Sequence, residues 1–108
     1  MADEIMLNYL GQSYFHEDYD LDAPTPGALV EKFARDEDGD YVQILVDELQ
    51  LILASGIEEW EARHMWLRDA HARYDPAREG KLYIDWLNEV VAIVERVLTE
   101  RRRNGEEW

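Results

Sequence analysis

Two runs of carboxylates are the residues of this 108-residue chain best suited to chemistry. The first run is Glu17, Asp18, Asp20 and Asp22, and the second is Asp36, Glu37, Asp38 and Asp40. Carboxylates at this density can hold a metal cation, share a proton as an acid–base pair, or attract a basic partner. The residues around the two runs decide among these three chemistries.

The spacing excludes a calcium site of the EF-hand kind. Such a loop needs ligands at positions 1, 3 and 5, Gly at position 6 and Glu at position 12. Placing Gly39 at position 6 puts Ala34 at position 1 and Leu45 at position 12. A loop that starts at Asp18 has Ala23 at position 6. A looser cation site is the alternative.

A zinc site is also not expected. The chain has no cysteine and three histidines, His16, His64 and His71. On the predicted fourth helix, His64 and His71 would share a face but lie about 10 Å apart along the axis. Two such histidines are more typical of half-buried packing residues. We therefore expect neither a metal nor another cofactor.

Catalytic arrangements are scarce as well. The two serines, Ser13 and Ser55, do not lie in a Gly-x-Ser-x-Gly motif, and the chain has no Gly-rich phosphate loop. A glycosidase-like pair of carboxylates stays open from the sequence. Dense carboxylates on loops are, however, usually a solvated surface. We expect that the protein is not an enzyme.

The charge is unevenly distributed. Residues 1–61 contain 16 acidic and two basic residues, whereas residues 62–108 contain nine of each, so the net charge of −14 lies in the first part. Such a field repels nucleic acid and anionic membranes and attracts a cationic protein. The candidate binding residues are the two acidic runs and the tyrosines within or next to them: Glu17, Asp18, Tyr19, Asp20, Asp22, Asp36, Glu37, Asp38, Asp40 and Tyr41.

Hydrophobic periodicity predicts an all-α fold, a compact bundle of about five helices in one domain over residues 1–108. The predicted helices are 3–16, 26–37, 41–55, 58–71 and one that begins between 82 and 85 and ends at 102, with a flexible tail over 103–108. The acidic start Met1–Glu4 and the lack of a long apolar run predict a cytoplasmic protein.

These helices assign several residues to the core or the surface. Trp60 and Trp86 fall on apolar stripes and are predicted to be buried, whereas Trp66 lies off the stripe of its helix, either in a second contact or at the surface. Gly11, inside the first helix, indicates a close helix contact. Trp108 is expected to be loose. On the predicted helix 41–55, Ile44 and Leu51 lie off the apolar stripe, so this helix is expected to be central and covered on more than one side.

The string from Tyr14 to Leu21 mixes aromatic and acidic side chains. Tyr14, Phe15 and Leu21 are expected to pack inward, and Asp18 to hold the turn by accepting backbone N–H bonds. Glu17, Asp20 and Asp22 are expected to point outward. Aromatic residues beside carboxylates also suit recognition of a basic, partly apolar surface, which is the alternative reading of this string.

The same string, Tyr14-Phe15-His16-Glu17-Asp18-Tyr19-Asp20-Leu21, resembles the Tyr-Phe-His-Gln-Asp-Trp-Asp-Leu signature of small helical immunity proteins from bacterial contact-dependent growth inhibition systems. The resemblance continues through Thr25-Pro26, Val30 and Phe33 to Trp86-Leu87. It implies a cytoplasmic antidote that binds the C-terminal toxin domain delivered by a neighbouring cell and blocks its activity. Many such toxins are nucleases, whose active-site face is basic.

Two other functions fit the same residues. A nucleic-acid mimic would use the carboxylates to inhibit a cellular DNA- or RNA-binding protein. An adaptor would bind its partner through an exposed Trp66 and Met65, with the negative charge serving solubility alone.

Overall fold

The computed structural model describes residues 5–105, and within them the chain forms helices and connecting turns without a β-strand. The helices are α1 (Ile5–Ser13), α2 (Tyr19–Asp22), α3 (Pro26–Asp36), α4 (Gly39–Ala54), α5 (Glu59–Arg63) and α6 (Tyr83–Arg103). A π-helical segment, His64–Asp69, continues α5, and a 3₁₀ turn, Pro76–Glu79, precedes α6. The predicted all-α bundle is confirmed. The proposed helical residues 3 and 4 and Trp108 lie outside the described residues.

Local capping explains where the middle helices begin. The Thr25 hydroxyl accepts a bond of 3.0 Å from the Ala28 N–H, and Pro26 occupies the first helical position, as predicted. The Asp38 carboxylate accepts a bond of 2.9 Å from the Asp40 N–H. This cap starts α4 at Gly39, two residues earlier than the sequence predicted. The segment 17–23, predicted to be a loop, contains the short helix α2.

Helix α6 is the centre of the bundle, and α3, α4 and α5 pack against it. The predicted stripe is buried except for Ile93, which is partly buried, and Tyr83 and Val91 are buried in addition to it. The buried side chains of α6 are therefore Tyr83, Trp86, Leu87, Val90, Val91, Val94, Val97 and Leu98. Helix α1 packs against α4 and the π-helical segment. No helix within residues 5–105 is both long and apolar enough to cross a membrane.

Two predictions about helix faces were wrong. Trp60, which was predicted to be buried, is 66% exposed. Of the two alternatives for Trp66, the structure gives the packing contact, because Trp66 is fully buried together with Ala62 and Ala70. The buried residues Ala62, Trp66 and Ala70 follow one another at four-residue spacing, so this part of the chain turns a different face toward the core from the one that carries Trp60. The adaptor hypothesis loses its anchor, because Trp66 cannot reach a partner.

The other wrong prediction concerns α4, which was expected to be covered on more than one side. Its stripe Val42, Leu45, Val46 and Leu49 is buried, but Ile44 is 43% and Leu51 is 74% exposed. These two residues lie on the face of α4 turned away from α6. Helix α4 is therefore an outer helix with apolar residues on its surface.

Gly11 lies at a close approach of two backbones, as predicted. A Cβ atom at Gly11 would overlap the Ala70 carbonyl oxygen and lie 2.7 Å from the Ala70 Cβ. Because backbone atoms cannot rotate away, we expect Gly11→Ala to lower the free energy of unfolding by about 1–3 kcal/mol, despite alanine's better helix propensity. Urea denaturation followed by circular dichroism measures this change.

Gly27 supplies the matched control. A Cβ there would meet the Ile93 Cδ1 at 3.5 Å, an ordinary contact. Gly27→Ala should therefore leave stability unchanged or raise it slightly. Equal losses in the two alanine variants would show that the close approach at Gly11 is not the cause.

Candidate functional site

The second acidic run forms a corner where α3 ends and α4 begins. We call Asp36, Glu37, Asp38 and Asp40 the acidic corner. Asp36, Asp38 and Asp40 are exposed, and Glu37 is half-buried. Asp36 is paired with Lys32 across one helical turn at 3.0 Å, a pair that surface screening makes weak. The corner keeps a net negative charge, because its four carboxylates outnumber the two cations that contact it, the Lys32 ammonium group and the Arg101 guanidinium group.

Glu37 holds the corner against α1. Its Oε2 atom accepts hydrogen bonds from the Tyr9 hydroxyl at 3.0 Å and the Tyr14 hydroxyl at 2.7 Å. Burial and the bond to Glu37 raise the pKa of the Tyr14 hydroxyl well above its ordinary value, so Tyr14 remains a donor throughout the physiological range. The Tyr14 ring packs edge-on against Phe33 at 5.3 Å. Glu37 is thereby fixed in position.

Arg101 fixes the corner from the other side. Its guanidinium Nη1 donates to the backbone carbonyls of Ala34 and Glu37, both at 2.9 Å. The bond to Ala34 satisfies one of the last carbonyls of α3, and a cation there is favourable for the helix dipole. The corner is therefore held by α1 and α6 as well as by its own capping bonds.

An apolar pocket adjoins the acidic corner. Its lining includes Ile5, Met6, Tyr9, Glu37 and Tyr41, and its volume is about 260 Å³. Ile5 is 67% and Tyr41 is 55% exposed. Tyr41 is among the candidate residues predicted from the sequence. Ile5 is not, because its exposure follows from the rotation of α1 and has no separate signal in the sequence. Charge and apolar surface thus lie side by side, as in the core and rim of a protein interface.

The first acidic run lies on a local turn. His16 holds this turn, since its Nδ1 atom accepts the Asp18 N–H at 3.1 Å and its Nε2 atom pairs with Asp22 at 2.9 Å. The prediction that Asp18 accepts backbone N–H bonds there was wrong: its side chain makes no cap bond. Glu17, Asp20 and Asp22 are exposed, as predicted. Leu21 was predicted to pack inward, but it is exposed, so this prediction was also wrong.

The structure places the two acidic runs at opposite ends of α3. The eleven residues of α3, about 16 Å of helix, lie along the chain between the first run and Glu37 of the second. The ten residues predicted to bind a partner therefore form two patches. Only the second patch, with Tyr41, adjoins the apolar pocket.

The aromatic residues of the string belong mainly to the core. Phe15 is fully buried and contacts the rings of Trp66, Tyr74 and Trp86 at centroid distances of 5.0, 5.9 and 5.8 Å. Tyr19 is half-buried against Phe15. The inward packing predicted for Phe15 is confirmed.

The two buried tryptophans differ in their hydrogen bonding. Trp66 Nε1 donates to the Tyr74 carbonyl at 2.8 Å, whereas the buried Trp86 Nε1 has no partner among residues 5–105. Replacing Trp66 with Phe would leave a buried carbonyl unsatisfied, but replacing Trp86 with Phe would remove an unsatisfied donor. We expect Trp66→Phe to cost about 1–2 kcal/mol more unfolding free energy than Trp86→Phe. Denaturant titrations of both variants test this, and equal losses would contradict it.

Nothing in the described part of the chain brings together three side chains that could hold a metal ion. His64 pairs with Asp69 at 3.4 Å. His71 lies after the π-helical segment with a left-handed backbone, φ +54°, so it does not share a helix face with His64 as the sequence had suggested. The two histidines are consequently not placed as a pair of ligands.

One comparison with known proteins identifies a family, and a second shows the fold. The sequence model of the CdiI immunity protein family matches residues 5–94. A chain in the crystal structure of a CdiA-CT/CdiI complex from Y. kristensenii superposes with a TM-score of 0.79 over 86% of this chain and 99% of that chain, at 17% sequence identity. That similarity shows a shared fold. No curated protein matches the sequence.

Proposed function

Because this chain belongs to the CdiI immunity protein family, we propose that it neutralises the C-terminal toxin domain of a cognate CdiA protein by binding it through the acidic corner. The family consists of toxin inhibitors and not of enzymes. This confirms the resemblance to immunity proteins and the prediction that the protein is not an enzyme. Beyond membership of the family, we propose that the acidic corner is the binding surface, that it binds a basic face of the toxin, and that binding takes place in the cytoplasm.

The observation that supports this surface most directly is the contiguity of the acidic corner and the apolar pocket. Charge complementarity speeds association with a basic surface, and buried apolar contacts at the centre of an interface slow dissociation. The bonds from Tyr9, Tyr14 and Arg101 hold the corner in place. A preorganised surface loses less conformational entropy on binding.

The proposed target is a nuclease. A nuclease site carries Lys and Arg side chains that hold phosphate groups, and carboxylates of an inhibitor can occupy the same positions or dock beside them. The net charge of −14 is consistent with this target and repels nucleic acid from the inhibitor itself. Stoichiometric protein binding, without a cofactor, is then sufficient for protection.

The test is binding of the purified chain to its cognate CdiA C-terminal toxin domain, measured by calorimetry at low and high salt. We expect saturable one-to-one binding that weakens as salt rises. Binding unaffected by salt would overturn the acidic corner as the interface and move it to the neutral part of the chain. Absence of binding at both salt concentrations would overturn the toxin as partner. A toxin domain without nuclease activity would refute the proposed target class.

A further inference from the structure

A second surface groove lies around Trp60, far from the acidic corner. Its lining includes Trp60, Glu61, His64, Met65 and Asp69, and its volume is about 230 Å³. Trp60 is 66% exposed, although a tryptophan in a folded domain is highly buried on average. An exposed indole in a groove is the kind of residue that anchors a protein contact.

The groove and the acidic corner are at opposite ends of α6. The Glu59 carboxylate, at the start of α5, accepts the N–H groups of Tyr83 and Ile84 at the first turn of α6. The acidic corner is bound by Arg101, eighteen residues later on the same helix. Those residues span about 27 Å. One standard interface, about 800 Å² per partner, does not centre on both surfaces.

Hydrogen bonds orient the polar groups of the groove. The Trp60 indole N–H donates to the Glu58 carboxylate, so the ring is not free to turn. Glu61 accepts the Glu58 backbone N–H at 3.0 Å, and Asp69 pairs with His64 at 3.4 Å. A carboxylate has two oxygens and about four lone pairs, so each of these groups retains capacity for another donor.

Two cations of the same segment lie outside the lining of the groove. Arg63 and Arg68 each precede a lining residue by one position, and the Arg63 side chain lies near the Tyr83 hydroxyl. The lining itself has carboxylates and a histidine on an aromatic and thioether surface. This composition attracts a cation that is also flat and weakly hydrated.

A guanidinium group meets that description better than an ammonium group. It stacks on an indole face, and its fixed array of N–H donors matches carboxylates on either side. We propose that the Trp60 groove is a second docking surface, which takes an arginine side chain of a protein partner between the Trp60 indole and the carboxylates of Glu61 and Asp69. This proposal does not depend on toxin binding at the acidic corner.

The test uses the full chain and a blocked Gly-Arg-Gly peptide, followed by the indole N–H signals in ¹⁵N correlation spectra. We expect the Trp60 signal, assigned by its loss in Trp60→Phe, to shift and saturate at millimolar peptide while the Trp66 and Trp86 signals stay in place. The same peptide with citrulline, which keeps the shape of arginine but lacks its charge, should cause less than one fifth of the shift. Equal shifts with the two peptides would overturn the proposal.

Two variants separate this groove from general attraction to an acidic protein. Glu61→Gln should weaken arginine-peptide binding at Trp60 at least fivefold. Asp40→Asn, which removes the same charge at the acidic corner, should leave it unchanged. A uniform decrease in both variants, or none in Glu61→Gln, would refute the site. For toxin binding we expect the reverse, a weaker affinity in Asp40→Asn and an unchanged affinity in Glu61→Gln. The two proposals can therefore fail independently.

Discussion

Reversing Asp36, Asp38 and Asp40 to Lys should lower the association rate constant with the cognate toxin domain about 100-fold at low salt and change the dissociation rate constant less than tenfold. The reason is that steering by complementary charge acts on the encounter, whereas apolar contacts at the adjoining pocket set the lifetime of the complex. Stopped-flow measurements at several ionic strengths give both rate constants. The difference between variant and parent should shrink as salt screens the field.

The control reverses three exposed acidic residues elsewhere, Asp47, Asp85 and Glu95, for the same change in net charge. We expect that variant to retain most of the association rate. Since Asp38 also caps α4, a second variant with Asn at all three corner positions keeps a capping side chain and should give an intermediate rate. A corner-reversed protein that associates as fast as its parent would remove the acidic corner from the interface.

Phe15→Ala should lower the free energy of unfolding by about 3–5 kcal/mol, the cost of deleting a large buried aromatic side chain. Phe15 is fully buried and packs against Trp66 and Trp86 in an edge-on geometry. For a domain of this size, the melting temperature should fall by at least about 12 °C. Differential scanning calorimetry measures it directly.

Glu17→Ala is the matched change in the same string. Glu17 is exposed, so its truncation should alter stability by no more than about 0.5 kcal/mol. This pair of variants separates the two interpretations of the string. If Phe15→Ala kept normal stability but lost toxin binding, the string would be an interface and not a determinant of the fold.

The helical frame could be predicted where local signals agree. The Thr25-Pro26 start of α3, the apolar stripe of α6 and the tight contact at Gly11 all follow from residue types at short spacing. The exchange of Trp60 and Trp66 could not be predicted, because the face that packs inward carries two alanines, Ala62 and Ala70, whose hydrophobic signal is weaker than that of the face with Trp60 and Leu67. The exposure of Leu51 depends on which neighbours pack against α4, and composition does not reveal them.

The candidate site, like the fold, could be predicted from the sequence only in part. The charge of the acidic corner is visible in the sequence, and so is the nearby Tyr41. The bonds that hold the corner link Glu37 to Tyr9 and Tyr14, and Arg101 to Ala34. They join residues 23 to 67 positions apart, a distance over which patterns in one sequence carry no information. The ten candidate residues form two patches because of the tertiary structure, which the sequence pattern does not reveal.

The attachment of Arg101 to the end of α3 also bears on engineering. A peptide copied from the α3–α4 turn would carry the same carboxylates but neither the guanidinium that holds its carbonyls nor the tyrosines that hold Glu37. In isolation a helix pair this short is marginal in water. The acidic corner is therefore not a transplantable motif: its shape has to be carried by the whole fold, and grafts onto other scaffolds must import the supporting residues from both ends of the chain.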